Sequence, residues 1–166
     1  MRNNPRVKKL TTTALMAAVI FVITYLIRIP MPIASGGYIN IGDAPIYIAA
    51  ALLGGPAGMA AAAIGAALAD LSAGYVFYIL PTAIIKGLMG FVCGKMMAKE
   101  TFTRFLGASI IGGAIMVLGY AAFETAFFNI NQALAAIPFN LIQWVAGVAV
   151  AIAFYPAVVR IKRSLL

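Results

Sequence analysis

The 166-residue chain is 64% hydrophobic and only 10% charged, with a mean hydropathy of +1.03. A soluble domain carries roughly 25% charged residues, so this chain cannot coat itself for water and reads as an all-α integral membrane protein whose solvent is the lipid bilayer. It has no histidine and one cysteine, which excludes histidine-based catalysis, haem ligation, histidine metal sites and internal disulfides; no cofactor or metal is expected, and the net charge of +8 reads as positive-inside bias, not as nucleic-acid binding.

Apolar runs give six segments, at residues 10–29, 43–53, 57–71, 76–97, 105–124 and 133–159. The first follows Arg2, Arg6, Lys8 and Lys9 and is too long for a signal-peptide core. Residues 30–42 contain Pro30, Pro32, Gly36 and Gly37, are long for a connector, and read as a lid. They end in "GYINIGD", which sets Asn40 and Asp43 at the threshold of segment two, with the Asp43 carboxylate placed to cap its first turn. Segments two and three look short for a hydrocarbon core of ~30 Å and are joined by Gly54, Gly55 and Pro56, a tight turn between antiparallel neighbours. Segment three is built of small residues. Gly58, Ala62 and Ala66 share one face, and Ala14 and Ala18 do the same in segment one. Such stripes serve either packing within the bundle or docking of another membrane protein.

Segment four carries Tyr75, Tyr78, Thr82 and Lys86 at steps of three, four and four, hence on one helix face. Lys86 is ~15 Å along that helix, at mid-membrane depth, where a charge faces a bundle interior or a wet cavity. Pro81 is expected to bend the helix. Cys93 reads as a buried, inert thiol. Partners for Lys86 are Asp43, Asp70 and Glu124, all toward one side of the membrane, whereas Glu100 is in the opposite loop. A purely structural ion pair is the other reading of Lys86. Segment six adds Asn140, Gln143 and Trp144 on one stripe; Asn129 and Asn131 precede it in a loop.

The cations fix a topology. Lys95, Lys99 and Arg104, the four N-terminal cations, and Arg160, Lys162 and Arg163 fall on one side if six spans leave both termini in the cytoplasm. Only Arg28, able to snorkel from a helix end, and Lys86 stand apart. The polar residues then gather in the outer half. The inner half holds Met89, Gly90, Phe91, Val148, Ala149 and Val150, so no polar track crosses the membrane. A pocket open outward and closed inward remains, suited to a small ring-containing ligand, with Tyr75, Tyr78 and Trp144 as stacking faces.

The order and spacing of "GYINIGDAPIYIAAALLGGPAG", "ALADLSAGY" and "IIKG" over nearly the whole chain resemble the S component, the substrate-binding membrane subunit, of energy-coupling factor (ECF) vitamin transporters. The likeness is to the subgroup for riboflavin, pyridoxine and hydroxymethylpyrimidine. The resemblance implies a single six-helix domain over residues 1–166 in a prokaryotic plasma membrane. It also implies high-affinity capture of a vitamin from outside, delivery by toppling in the membrane, and partnership with a transmembrane coupling subunit and two cytoplasmic ATPases. The chain itself would not be an enzyme. "ALMAA" matches the family's docking motif through Ala14 and Ala18. The implied substrate site comprises Asn40, Asp43, Tyr75, Tyr78, Lys86, Glu124, Asn140, Gln143 and Trp144, with Asp70 and Thr82 behind it. Within "GYINIGD", Asn40 is assigned to the ligand and Asp43 to the cap. Carboxylates and amides beside aromatic rings favour pyridoxine or hydroxymethylpyrimidine. Riboflavin needs a larger cavity, and lipoate would use Lys86 as counter-ion but meet repulsion from the carboxylates. Readings of a different class are a structural membrane subunit, or an intramembrane enzyme using Lys86 with Ser72 or Ser109.

Overall fold

The computed structural model describes residues 4–33, 36–99 and 101–165; Arg2, Ala34, Ser35 and Glu100 lie outside the described residues. The chain runs α1 (Pro5–Leu26), β1 (Arg28–Pro30), β2 (Tyr38–Asn40), α2 (Asp43–Leu53), α3 (Gly55–Ala73), a 3-10 turn (Val76–Tyr78), α4 (Ile79–Met96), α5 (Phe102–Phe127) and α6 (Ile130–Leu165). Among the described residues, five helices are long and apolar enough to cross a membrane: α1, α3, α4 with its 3-10 turn, α5 and α6; α2 is a shorter apolar helix. Large apolar side chains such as Leu10, Leu80, Leu118 and Val145 point away from the bundle, as lipid-facing residues do.

Local chemistry explains where the helices begin. Pro5, Pro45, Pro56 and Pro81 all fall in first turns, where a missing N–H costs nothing. Pro81 therefore does not bend α4: the helix starts only two residues earlier, at Ile79, behind the 3-10 turn. Asn4 caps α1 by accepting the Arg6 N–H at 3.0 Å, so that helix starts five residues before the apolar run. Segment three is not short either. With Pro56 inside its first turn, α3 has 19 residues, a rise of ~28 Å. Asn129 accepts the Gln132 N–H at 3.1 Å and opens α6, so it has a structural task beyond solvation. Arg28 reaches back from β1, donating to the Tyr25 carbonyl at 2.7 Å and lying over the Tyr25 ring.

Helix α3 is the centre of the packing, against α1 on one side and α4 on the other. Its small residues permit that. A Cβ on Gly90 of α4 would lie 2.5 Å from the Gly58 carbonyl oxygen, and one on Gly65 would lie 2.5 Å from that of Ala17 in α1. Gly58, Ala62 and Ala66 are all buried, so this stripe serves packing within the bundle. Ala14 and Ala18, by contrast, are exposed on the outer face of α1.

Helix α2 is short for a reason visible in its partners. Its first residue, Asp43, meets Lys86, the eighth residue of the 18-residue α4, and a Cβ on Gly147 of α6 would touch Asp43. The helix thus starts halfway along the bundle. Above it the chain runs as an antiparallel hairpin pairing Arg28 with Asn40 and Pro30 with Tyr38. Where a full-length α2 would have filled the bundle, there is space. Below Asp43 the interior is tight: Tyr47, Met89, Cys93 and Met116 are fully buried, and the Cys93 thiol donates to the Ala108 carbonyl at 3.1 Å.

The close α3–α4 contact is testable. Gly90→Ala is expected to lower stability by about 1–3 kcal/mol through overpacking against backbone. Gly107→Ala, where a Cβ meets nothing within 4 Å, is expected to be neutral or slightly stabilising. Thermal unfolding of both variants in detergent checks the contrast.

Candidate functional site

The space above α2 is a cleft with about 520 Å³ of empty volume, its open mouth included. At its floor the Lys86 ammonium donates to Asp43 Oδ1 in a buried ion pair. The second oxygen of Asp43 accepts from Gln143 Nε2 at 3.1 Å, and Gln143 Oε1 accepts the Asn40 N–H at 2.9 Å. One amide of α6 therefore ties the hairpin to α2 and completes the shell of the Asp43 carboxylate. Lys86 also lies 5.5 Å from the centre of the Tyr120 ring, whose hydroxyl is 2.9 Å from that of Thr82.

These contacts overturn the capping role expected of Asp43 within "GYINIGD". Asp43 does not cap α2: the N-cap is Gly42, with no side-chain bond. Asn40 does the local work, accepting the Gly42 N–H on Oδ1 at 2.7 Å. The physical reason is depth. Because α2 begins level with the middle of α4, a carboxylate there neutralises an ammonium that would otherwise be buried alone, which outweighs a cap bond.

The other two carboxylates stand on the cleft walls. Asp70 Oδ1 accepts from the Tyr38 hydroxyl at 2.6 Å, and Glu124 Oε1 from the Tyr78 hydroxyl at 3.3 Å. Burial, and then the Asp70 carboxylate beside it, push the Tyr38 phenol well above its ordinary range, so it remains a donor at physiological pH. Gly74, left-handed at φ 82°, ends α3 and lets the Tyr75 N–H close onto the Asp70 carbonyl. That turn brings the Tyr75 ring to 4.8 Å from Tyr38.

Buried polar atoms almost always have partners, yet four side-chain atoms among the described residues have none: Asp70 Oδ2, Glu124 Oε2, Asn140 Nδ2 and the Tyr47 hydroxyl. The first three belong to residues lining this cleft. Tyr47 belongs to the core below, where the edge of its ring lies against Gly112.

Of the residues singled out in the sequence, Asn40, Asp43, Tyr75, Tyr78, Lys86, Glu124, Asn140 and Gln143 line the cleft together with Asp70 and Thr82. Trp144 does not. One position beyond Gln143, it turns to α5, where its indole occupies the space that a Cβ on Gly113 would need. Thr24, Met31, Tyr38 and Tyr120 also line the cleft and were not foreseen. Tyr120 was within reach, four residues before Glu124 and so on the same helix face. Thr24 was not, because only the hairpin's return past the end of α1 brings it near.

Comparison with known proteins gives this cleft a context. The family described as "ECF-type riboflavin transporter, S component" matches residues 4–160. The chain belongs to this S-component family. It is therefore a membrane-embedded, non-enzymatic substrate-binding subunit for a vitamin or vitamin precursor. The S component is 38% identical over 130 residues, 78% of this chain and 86% of the other, to an "uncharacterized protein in gap 3'region" of Pyrococcus woesei. It is 28% identical to the thiamine precursor transporter HmpT of Lactococcus lactis subsp. cremoris (strain MG1363), over 96% of this chain and 93% of that one. Its fold matches the crystal structure of the S component for biotin from an ECF-type ABC transporter, with a TM-score of 0.73, 23% identity, and coverage of 98% and 95% of the two chains.

A double-mutant cycle tests the ion pair at the floor of the cleft. Lys86→Met alone leaves a buried, uncompensated carboxylate and is expected to cost about 3–5 kcal/mol. Lys86→Met combined with Asp43→Asn is expected to recover most of that loss, as read from unfolding in detergent. A double variant no more stable than Lys86→Met would show that the two side chains are not energetically paired.

Proposed function

We propose that this S component captures a small, water-soluble heteroaromatic vitamin or precursor, pyridoxine or hydroxymethylpyrimidine, at high affinity from outside a prokaryotic cell. The observation that carries this reading is the one-sided cleft. Three carboxylates, three amides and several tyrosines converge beneath the hairpin, while the opposite half of the bundle is tightly packed and apolar. The proposed ligand contacts are Asn40, Asp43, Tyr75, Tyr78, Lys86, Glu124, Asn140 and Gln143, with Asp70 and Thr82 supporting them. Trp144 supports the site through α5 and is left out of the contact set.

The single domain sits in the plasma membrane as six spans with both termini cytoplasmic, α2 being the short one completed by the hairpin. Delivery then requires a transmembrane coupling subunit and two cytoplasmic ATPases, with Ala14 and Ala18 on the exposed face of α1 as the docking contact. Likeness to the thiamine precursor transporter HmpT favours hydroxymethylpyrimidine over pyridoxine, because thiamine is assembled from an aminopyrimidine and a thiazole. The family description supports riboflavin as the second reading. An enzyme built on Lys86 and a serine is disfavoured: Lys86 is paired with Asp43, and the Ser109 hydroxyl donates to the Phe105 carbonyl at 2.9 Å.

Mass spectrometry of small molecules released from the purified S component, followed by thermal-shift titration against hydroxymethylpyrimidine, pyridoxine, riboflavin and lipoate, tests the substrate class. Stabilisation by a pyrimidine or pyridine without ATP is expected; stabilisation by riboflavin alone would select the second reading, and no shift with any compound would sink both. Ala14→Leu with Ala18→Leu is expected to leave binding by the purified protein unchanged and to abolish uptake by whole cells. Normal uptake would remove these alanines from the docking contact.

A further inference from the structure

The unpartnered atoms of the cleft restrict its ligand more than its polarity does. Lys86 is the only cation among the lining residues, and Asp43 already holds it. That leaves two wall carboxylates, Asp70 and Glu124, without a positive partner in the cleft. Glu124 is 1% exposed and has no partner on Oε2. Its other oxygen has only the long 3.3 Å bond from Tyr78. Asp70 is better served, through the 2.6 Å bond from Tyr38. A carboxylate buried this fully with so little compensation is costly, and a charged fork with two parallel N–H donors compensates it best. Elsewhere on the cleft lining, the unpartnered Asn140 Nδ2 offers a donor, which a ligand with an acceptor on another edge would satisfy.

We infer that Glu124 selects the ligand by binding, through both oxygens, the two-donor edge formed by an exocyclic amine next to a protonated ring nitrogen, as in a 4-aminopyrimidine. This rests on the substrate reading above and sharpens it. A pyridine bearing hydroxyl groups has no adjacent pair of N–H donors. A ring with a 4-oxo group in place of the amine presents one donor and one acceptor, and its acceptor would face an oxygen of Glu124. The tyrosine rings around the carboxylate, Tyr78 and Tyr120, supply flat faces, with their centres 6.4 Å apart. Asn140 donates to a second ring nitrogen or to a hydroxyl oxygen on the opposite edge.

The selectivity can be removed. Glutamine at this position offers one donor and one acceptor, which fit the 4-oxo edge and the unprotonated amine edge alike. The experiment is titration calorimetry of purified S component with 4-amino-5-hydroxymethyl-2-methylpyrimidine and with its 4-oxo analogue, in the wild type and in Glu124→Gln. The wild type is expected to prefer the amine by roughly tenfold or more, and Glu124→Gln to abolish that preference. The wild-type comparison needs no variant and so stands even if Glu124→Gln fails to fold. Equal wild-type affinity for the two compounds, or an unchanged preference in Glu124→Gln, overturns the role of Glu124 while leaving the substrate reading intact. Wild-type binding of riboflavin or pyridoxine with no binding of either pyrimidine overturns this inference together with the choice of hydroxymethylpyrimidine.

Discussion

A lysine held halfway through a membrane is the constraint on which the rest of this structure depends. An isolated ammonium at that depth is prohibitively expensive, and the chain answers it with Asp43. To deliver a carboxylate at mid-depth from a helix start, α2 must begin in the middle of the bundle, so the chain before it must descend as something other than a membrane-spanning helix. Non-helical backbone is tolerated at that depth only where it is shielded by protein or lines a cavity. The hairpin meets the condition through its internal ladder, through Gln143, which accepts the Asn40 N–H, and through Asn40, which accepts the Gly42 N–H. The cleft is what remains of the space a longer α2 would have filled.

The ion pair and the binding cleft are thus one construction. Asp43 has both oxygens engaged, one by Lys86 and one by Gln143, which balances the charge of this corner. Asp70 and Glu124 each keep an unengaged oxygen. A site whose only lining cation is already paired, while other carboxylates stay open, is tuned toward donors and away from anions. The same arithmetic argues against a carboxylate-bearing ligand such as lipoate, for which Lys86 would have to abandon Asp43.

Much of this was legible in the sequence, and the reasons are specific. A lysine within an apolar run, and amides on one stripe of another, carry large desolvation penalties, so their convergence on a shared cavity follows from energy alone. Helix lengths and starts were less legible, since a proline inside an apolar stretch reads equally as a kink or as a first turn. Pro56 and Pro81 proved to be first-turn residues once the ends of α3 and α4 were known. That Asn40 and not Asp43 bonds the turn before α2 was hidden for a different reason. Local capping rules apply to a helix start in water, whereas this start is buried against Lys86. Trp144 was misplaced because a stripe on α6 about 100° wide spans both the cleft and the α5 contact, and only Gly113, bare of a side chain, shows which way the indole turns.

The packing beneath the cleft bears on how cargo can leave. Tyr47, Met89, Cys93 and Met116 fill the bundle below the ion pair without exposure, and close-packed interiors do not open gradually. A route straight through would have to separate Lys86 from Asp43 and dismantle the close contact of Gly58 with Gly90. The exposed small-residue face of α1 lies apart from both the cleft and the core, and α1 is the least buried of the five long helices. The docking and delivery by reorientation proposed above would use that face and leave the site undisturbed.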